Sequence, residues 1–343
     1  MSNDASRYLP TRSERVDDGW GQDPEEGAPP LRTSVSRDRT VKLITRNKSP
    51  DIPFEQSINP YKGCEHGCVY CFARPTHAYL DLSPGLDFET RLFYKDQAAE
   101  RLREALSKPG YVPKTIAMGT NTDPYQPIER DLRVTRQILE VLDRANHPVT
   151  LVTKSALVLE DLDLWSKLAA RGLAKVAVSV TTLDRSLKRK LEPRTASPTA
   201  RLNTIRALSE AGVPVGVMAA PMIPFINDAE LEEILEAAAD AGARSASYIL
   251  LRLPREVAPL FEEWLEAHYP LHKERVLAAV RSMRGGKLYR SRWGERMRGT
   301  GAMAQLLHAR FEAAVKRLRL KLEGRTELRC DLFEAPYGQR SLF

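Results

Sequence analysis

The chain has 343 residues, with 52 Lys+Arg against 45 Asp+Glu, a net charge of +7 and a charged fraction of 28%. That length accommodates one large domain with extensions, and no apolar run approaches the roughly 20 residues of a membrane-spanning helix. The polar N-terminus lacks a signal-peptide pattern and there are only four cysteines, which argues for a reducing cytoplasm and against a disulfide-built scaffold.

Residues 1–50 are rich in Asp, Arg, Ser, Pro and Gly. They bury too little apolar surface to offset ordering entropy, so a flexible tail is expected, ordered by Phe54 at the latest. From Ser57 on, short β-branched runs alternate with amphipathic stretches. Strands are predicted over Ser57–Tyr61, Thr115–Gly119, Val149–Thr153, Lys175–Val180, Val215–Ala219 and Ala246–Leu251, the first interrupted by Pro60. Helices are predicted over Asp96–Ser107, Val134–Asn146, Leu159–Arg171, Thr199–Ala211, Ala229–Ala241 and Val257–Ala267, several ending near a glycine such as Gly172, Gly212 or Gly242. Six strand–helix units with near-continuous apolar strands call for an α/β fold with a parallel sheet, either doubly wound or an incomplete β/α barrel. In both, the working residues belong at the C-terminal ends of the strands. The barrel domain is assigned to 51–270 and a basic extension to 271–343.

Three of the four cysteines lie within Cys64-Glu65-His66-Gly67-Cys68-Val69-Tyr70-Cys71. Structural zinc usually takes four ligands in two separated pairs. Three close thiolates on one loop instead suit three irons of a cubane cluster, leaving the fourth iron open to chemistry. Gly63 and Gly67 ease the tight turn that this convergence needs.

The C-x3-C-x2-C spacing, with the aromatic Tyr70 before the last cysteine, resembles the signature of the radical S-adenosylmethionine (radical SAM) superfamily. The resemblance runs from about Ser57 to Leu253. It implies a partial (β/α)6 barrel, a 4Fe-4S cluster on Cys64, Cys68 and Cys71, and S-adenosylmethionine (SAM) on the open iron. It further implies reductive SAM cleavage to a 5′-deoxyadenosyl radical and an external electron donor. The segment Gly119-Thr120-Asn121-Thr122-Asp123-Pro124-Tyr125-Gln126-Pro127 resembles the SAM-binding segment of the spore photoproduct lyase-like branch. On the residues alone, it is either a strand-end ligand contact or a capped turn. Lys154, at the end of the third predicted strand, suits a carboxylate, and a similar lysine in that branch faces SAM. Ser179 is a polar residue in an apolar strand, able to bond SAM or a backbone group. Glu192 and Arg194 resemble the segment that the superfamily places near the SAM carboxylate or ribose. Spore photoproduct lyases return a hydrogen atom through a cysteine downstream of the cluster motif. This chain has none between Cys71 and Cys330, so photoproduct repair would require Cys330, which otherwise reads as an inert buried thiol, or a tyrosine such as Tyr125 or Tyr248 to substitute.

The charge excess is concentrated late. Residues 271–343 hold 17 Lys+Arg against 7 Asp+Glu, and residues 1–270 hold 35 against 38. Between Lys273 and Arg298, nine cations are interleaved with Tyr289 and Trp293, a pattern for phosphate contact and base stacking, or for a solvated basic face. Ala302–Leu320 reads as an amphipathic helix returning to the barrel. The terminal Gln339-Arg340-Ser341-Leu342-Phe343 resembles the peptide by which repair and replication proteins bind the sliding clamp, with Arg340 where leucine is usual. The expectation is a radical SAM enzyme of lyase-like type acting on nucleic acid, in repair or modification. The alternatives are a protein or metabolite substrate, or a non-catalytic redox sensor or adaptor.

Overall fold

The computed structural model describes residues 32–40, 42–322 and 327–336. The terminal segment Gln339–Phe343 lies outside them. Eleven strands are present among the described residues: β1 (Ser34–Arg37), β2 (Thr45–Arg46), β3 (Gln56–Ile58), β4 (Tyr61–Lys62), β5 (Arg91–Tyr94), β6 (Ile116–Met118), β7 (Val149–Thr153), β8 (Ala174–Ser179), β9 (Val215–Met222), β10 (Ser245–Leu250) and β11 (Lys321–Leu322). Eight form one sheet in the order β11-β10-β9-β8-β7-β6-β3-β2, parallel throughout except for the antiparallel β2–β3 pair. The six strands β3 and β6 to β10 match the six predicted, and together with their helices make a partial β/α barrel. β1, β5 and β4 form a small side sheet.

The sequence accounts for this layering. Along β8 the run Ala-Lys-Val-Ala-Val-Ser is wholly buried, as befits a strand covered on both faces. The helix Val134–Arg144 buries Val134, Ile138, Leu139, Val141 and Leu142, an apolar stripe at helical spacing. Pro198–Glu210 starts at Ser197, whose hydroxyl accepts from the amide of Ala200 at 3.2 Å, a side-chain N-cap. The predicted helix from Leu159 begins as a 3-10 turn over Ala156–Asp161 and becomes α-helical only at Leu162. Beyond β10, Val257–His268, Lys273–Ser282 and Ala302–Arg317 pack back on the barrel, as expected for the last of them.

Two differences from the sequence reading have clear causes. Pro60 has no amide to donate, so the first predicted strand stops at Ile58, and Tyr61–Lys62 pairs with β5 in the side sheet. Within residues 1–50, Ser34–Arg37 and Thr45–Arg46 form strands. The side chains of β1 are all exposed, so composition offers no signal for it. Its order comes from backbone pairing with β5, and Leu43 and Ile44 are buried in the main core.

The barrel is incomplete, and its open side is bridged. The loop between β2 and β3 meets the loop 294–298. The Gly294 amide donates to Asp51 Oδ1 at 2.6 Å, Arg296 Nη2 donates to Ser49 Oγ at 2.5 Å, and Arg296 Nε lies 2.5 Å from Asp51 Oδ2. The carbonyl of Met297 accepts from the Leu250 amide at 3.0 Å, which fixes that loop to the edge of β10. Asp51→Ala is expected to raise amide exchange at 47–53 and 294–298 roughly tenfold, as local opening loses one partly buried ion pair. The strands β7 to β9 should keep their protection, as read by hydrogen–deuterium exchange. Unchanged exchange in both loops would show that the bridge carries no local stability.

Candidate functional site at the strand ends

Several inward positions of the barrel are small, Ala117 on β6, Ala177 on β8, Ala220 on β9 and Ser247 on β10, beside larger ones such as Lys175 and Met218. Barrel interiors are more often filled by bulky branched side chains. Here the small residues leave a cavity of about 1200 Å³ that reaches the C-terminal strand ends. Cys64, Cys68, Tyr70 and Cys71 line it there, together with His66, Gly119, Thr120, Asn121, Asp123 and Lys154.

The cysteine loop is held from several sides. The Cys64 amide donates to the Phe88 carbonyl at 2.8 Å and the Val69 amide to the Leu191 carbonyl at 3.0 Å. Gln126 Nε2 donates to the Gly63 carbonyl at 3.1 Å, and Gln126 Oε1 accepts from the Glu65 amide at 3.0 Å. Glu89, fully buried, receives Arg74 Nη2 at 2.5 Å on one oxygen and the Arg194 guanidinium on the other. Arg74 Nε then donates to the Cys68 carbonyl at 3.0 Å, and Arg194 Nε donates to the Glu65 carbonyl at 2.5 Å. The two arginines thus grip the loop at both ends from a single carboxylate. Gly67, at φ +65°, must be glycine, because a Cβ would run into both Arg194 and Glu89.

Arg194 is thereby corrected. The resemblance implies for it a place at the SAM carboxylate or ribose, but its Nε and Nη2 are given to the Glu65 carbonyl and to Glu89, and it does not line the cavity. Ser179 is also redirected. It is fully buried off the cavity wall, accepts from Lys154 Nζ at 2.8 Å and donates to the Ala220 carbonyl at 3.2 Å, so it orients the lysine. Glu192 is a second buried hub. It accepts from Tyr70 OH, from Thr181 Oγ1 at 2.6 Å and from Arg201 Nη2, and lies 4.0 Å from Lys154 Nζ. Burial would raise its pKa, but Arg201 and then Lys154 outweigh that and bring it down to about 2. It holds Tyr70 and Lys154 in place from behind the wall.

On the segment after β6, Gly119 (φ +77°) needs no ligand to explain it, since a Cβ there would strike the Val152 carbonyl of the neighbouring strand. Asp123 spends both oxygens on the protein: Oδ1 accepts from Thr153 Oγ1 at 2.8 Å and the Tyr125 amide at 2.9 Å, and Oδ2 from the Lys154 amide at 2.7 Å. It also lies 3.4 Å from His66 Nδ1, and burial still draws that imidazole down to about 4. Asp123 therefore ties the ends of β6 and β7 to the cluster loop. Thr120 Oγ1 and the Asn121 amide both donate to Asn59 Oδ1, at 3.4 and 3.1 Å, leaving the Asn121 side chain on the cavity wall. Arg74, Glu89, Gln126 and Asn59 are the supporting residues that sequence reasoning missed. Their only signal was charge or amide in a segment that the fold buries.

Tyr125 is removed as a hydrogen donor. It is buried outside the cavity, donates to Asp161 Oδ2 at 2.8 Å and accepts from Trp165 Nε1 at 3.0 Å. Tyr248 faces away from Ser247, its ring 4.7 Å from that of Phe311 and 6.3 Å from that of His308 on the helix Ala302–Arg317, and its buried hydroxyl has no hydrogen-bond partner among the described residues. Cys330 sits beside Thr115, at the opposite end of the strands from the cysteine loop. The four steps from Thr115 to Gly119 put about 13 Å of strand between the two ends.

The residues fit a cluster. No three His, Cys, Asp or Glu side chains among the described residues gather as round a single ion, whereas in a cubane each thiolate takes its own iron. Burial pushes the Cys68 thiol up to about 12 and the Cys64 thiol well above its usual value, so keeping them as thiolates calls for positive charge of the kind that iron supplies.

The model of the radical SAM superfamily matches residues 58–238. The chain belongs to the radical SAM superfamily. Its cofactors are accordingly a 4Fe-4S cluster and S-adenosylmethionine. An uncharacterized protein of Mycobacterium tuberculosis is 39% identical over 229 residues, covering 65% of this chain and 67% of that protein. One from Methanocaldococcus jannaschii is 29% identical over 239 residues, covering 70% and 85%. Among solved structures, a spore photoproduct lyase variant with AdoMet and dinucleoside spore photoproduct bound superposes with a TM-score of 0.62 at 18% identity, covering 84% of this chain and 80% of that one. At that identity the likeness is one of fold. Among the described residues no helix is long and apolar enough to cross a membrane.

Two substitutions test the supports. Glu89→Gln leaves two guanidiniums facing a neutral amide and is expected to cost about 3 kcal/mol or more in urea unfolding, with iron content falling in parallel. Full stability with full iron loading would show that the grip is dispensable. Gly119→Ala, at positive φ and against Val152, is expected to cost about 2 kcal/mol or more, and an unchanged melting temperature would contradict the clash.

Proposed function

We propose that this chain is a radical SAM enzyme that modifies or repairs nucleic acid at the C-terminal mouth of its barrel. The observation that carries the proposal is the single cavity joining the three cysteines and Lys154 to a basic, aromatic rim. Met297 and Arg298 line that cavity, and the same loop carries Arg290, Arg292 and an exposed Trp293. A cationic rim with an aromatic beside a deep pocket suits a nucleotide drawn toward the cluster, its backbone held outside.

In this reading Cys64, Cys68 and Cys71 hold the cluster. When bound, the cluster supplies an open iron for the amino and carboxylate groups of SAM and the electron, taken from an external donor, that cleaves the sulfonium. Lys154, aimed by Ser179 and Glu192, neutralises the SAM carboxylate. Asn121 and the Thr120 hydroxyl offer polar contacts to the ammonium and ribose. Tyr70, fixed by Glu192 and lying 5.9 Å from Lys154 Nζ, walls the site against water. Cys330 lies at the far end of the cavity, Tyr125 is sequestered and the Tyr248 ring packs outward on Phe311, so none of the three stands beside the cluster as a hydrogen donor.

Two outcomes are expected. Lys154→Ala should weaken SAM binding about tenfold by calorimetry, the loss of one charge-assisted contact, without changing iron content. SAM affinity equal to the wild type would remove the lysine from the site. Anaerobic turnover of the reduced protein with single- and double-stranded DNA and RNA should give 5′-deoxyadenosine and a mass-shifted nucleotide with at least one of the four. Binding should weaken with salt, and exchanging Lys287, Arg290 and Arg292 for alanine should reduce the slope by about two to three. SAM cleavage with no change in any nucleic acid would point to a protein or metabolite substrate.

A further inference from the structure

Just beyond β10 the chain places a cation with no acidic partner among the described residues. Arg252 lines the cavity two residues after Leu250, with its guanidinium 4.8 Å from the ring of Phe72, the residue following Cys71. Nη1 reaches only the thioether of Met297, at 3.3 Å, and Nε is buried without a hydrogen-bond partner among the described residues. No carboxylate among the described residues lies within 4.0 Å of it. Behind it is Arg284, almost fully buried, whose guanidinium donates to four backbone carbonyls, of Leu250, Leu251, Glu295 and Arg296. Burial, and then the charge of Arg252, lower the Arg284 pKa to about 10. Two guanidiniums therefore repel each other at one wall of the cavity. Arg298, on the same wall, also has no acidic partner among the described residues.

Two acids of the adjoining loops are already engaged, and the buried carboxylate of Glu256 forms no ion pair with Arg252 within 4.0 Å. Asp51 is taken by Arg296 and the Gly294 amide, and Glu295 faces Arg290 and Arg292. Cations left together in a partly dry pocket imply a missing anion. Lys154 does not share that anion. It follows β7 directly, three strands from β10, about 14 Å along the sheet at the usual spacing. The cavity mouth thus has two separate cationic centres.

We propose that Arg252 is a substrate anchor that takes a phosphate group in a subsite distinct from that of the SAM carboxylate. The planar fork of a guanidinium, prepositioned by stacking on Phe72, matches two phosphate oxygens. Arg284 raises the local potential from behind the cavity wall, with Nη1 and Nη2 spent on carbonyls. The inference rests on the proposed nucleic-acid reading only for the carrier of the phosphate, which would then be a phosphodiester next to the reacting nucleotide.

The test uses the full chain, cluster-reconstituted and SAM-loaded under anaerobic conditions, titrated with inorganic phosphate and with a ten-nucleotide single-stranded oligothymidylate. Arg252→Gln is expected to weaken both about tenfold or more, the scale of one charge-assisted hydrogen bond, and Arg252→Lys to recover only part of the loss. SAM affinity, measured separately, should stay within about twofold of wild type, which shows an intact fold. If the wild type binds the oligonucleotide and Arg252→Gln binds it equally well, the anchor is wrong and the nucleic-acid reading stands. If the wild type binds phosphate through Arg252 but ignores the oligonucleotide, the anchor stands and the nucleic-acid reading falls. If the wild type binds neither, both fall.

Discussion

The buried carboxylate of Glu89 is the contact on which the site depends. It meets Arg74 on one oxygen and Arg194 on the other, and each arginine passes on to a backbone carbonyl of the cysteine loop. Three thiols can face one cluster only if a short, tightly turned loop keeps its shape while carrying no regular secondary structure of its own. A buried ion triad suits that task, because its charges are costly to separate once out of water. Gly67 follows from the triad, since only a residue without a side chain lets both charged groups close on the loop.

The second constraint is the width of the barrel. Six parallel strands with alanine or serine at several inward positions do not fill their own interior, and the open side is crossed by a strap between Asp51 and Arg296 rather than by further strands. The result is a deep cavity with one chemically equipped end. Cations divide it. Lys154 lies on the β7 side, backed by Glu192 and Ser179, and Arg252 lies on the β10 side with no counter-charge among the described residues. The cluster loop runs between them, with Tyr70 toward the first and Phe72 toward the second.

Much of this was legible in the sequence, for identifiable reasons. The six strands and their helices follow from alternation of β-branched runs with apolar stripes at helical spacing. The cysteine spacing alone separates a cubane loop from a four-ligand zinc site. What stayed hidden were residues whose role depends on distant partners. Arg194 sits 105 positions from Glu89, so its segment's resemblance to one near SAM could point to a ligand while its actual partner stayed out of view. Ser179 and Asp123 were assigned to the cofactor because polar residues at strand ends look free in one dimension, yet the neighbouring strands use them. The order of β1 was invisible because it comes from backbone pairing to β5, which composition does not register. Arg252 went unnoticed for the opposite reason: a lone arginine after a strand is unremarkable until the fold shows that its neighbours are a ring, a thioether and a second arginine.

The central claim is that Cys64, Cys68 and Cys71 hold a cluster whose fourth iron takes SAM. Electron paramagnetic resonance of the anaerobically reduced, reconstituted protein, recorded before and after addition of SAM, tests it most directly. The account predicts the signal of a reduced 4Fe-4S cluster whose shape changes when SAM is added, because the ligand enters the coordination shell of one iron. A cluster signal that SAM leaves unaltered would contradict it, as would a protein that takes up zinc and no iron.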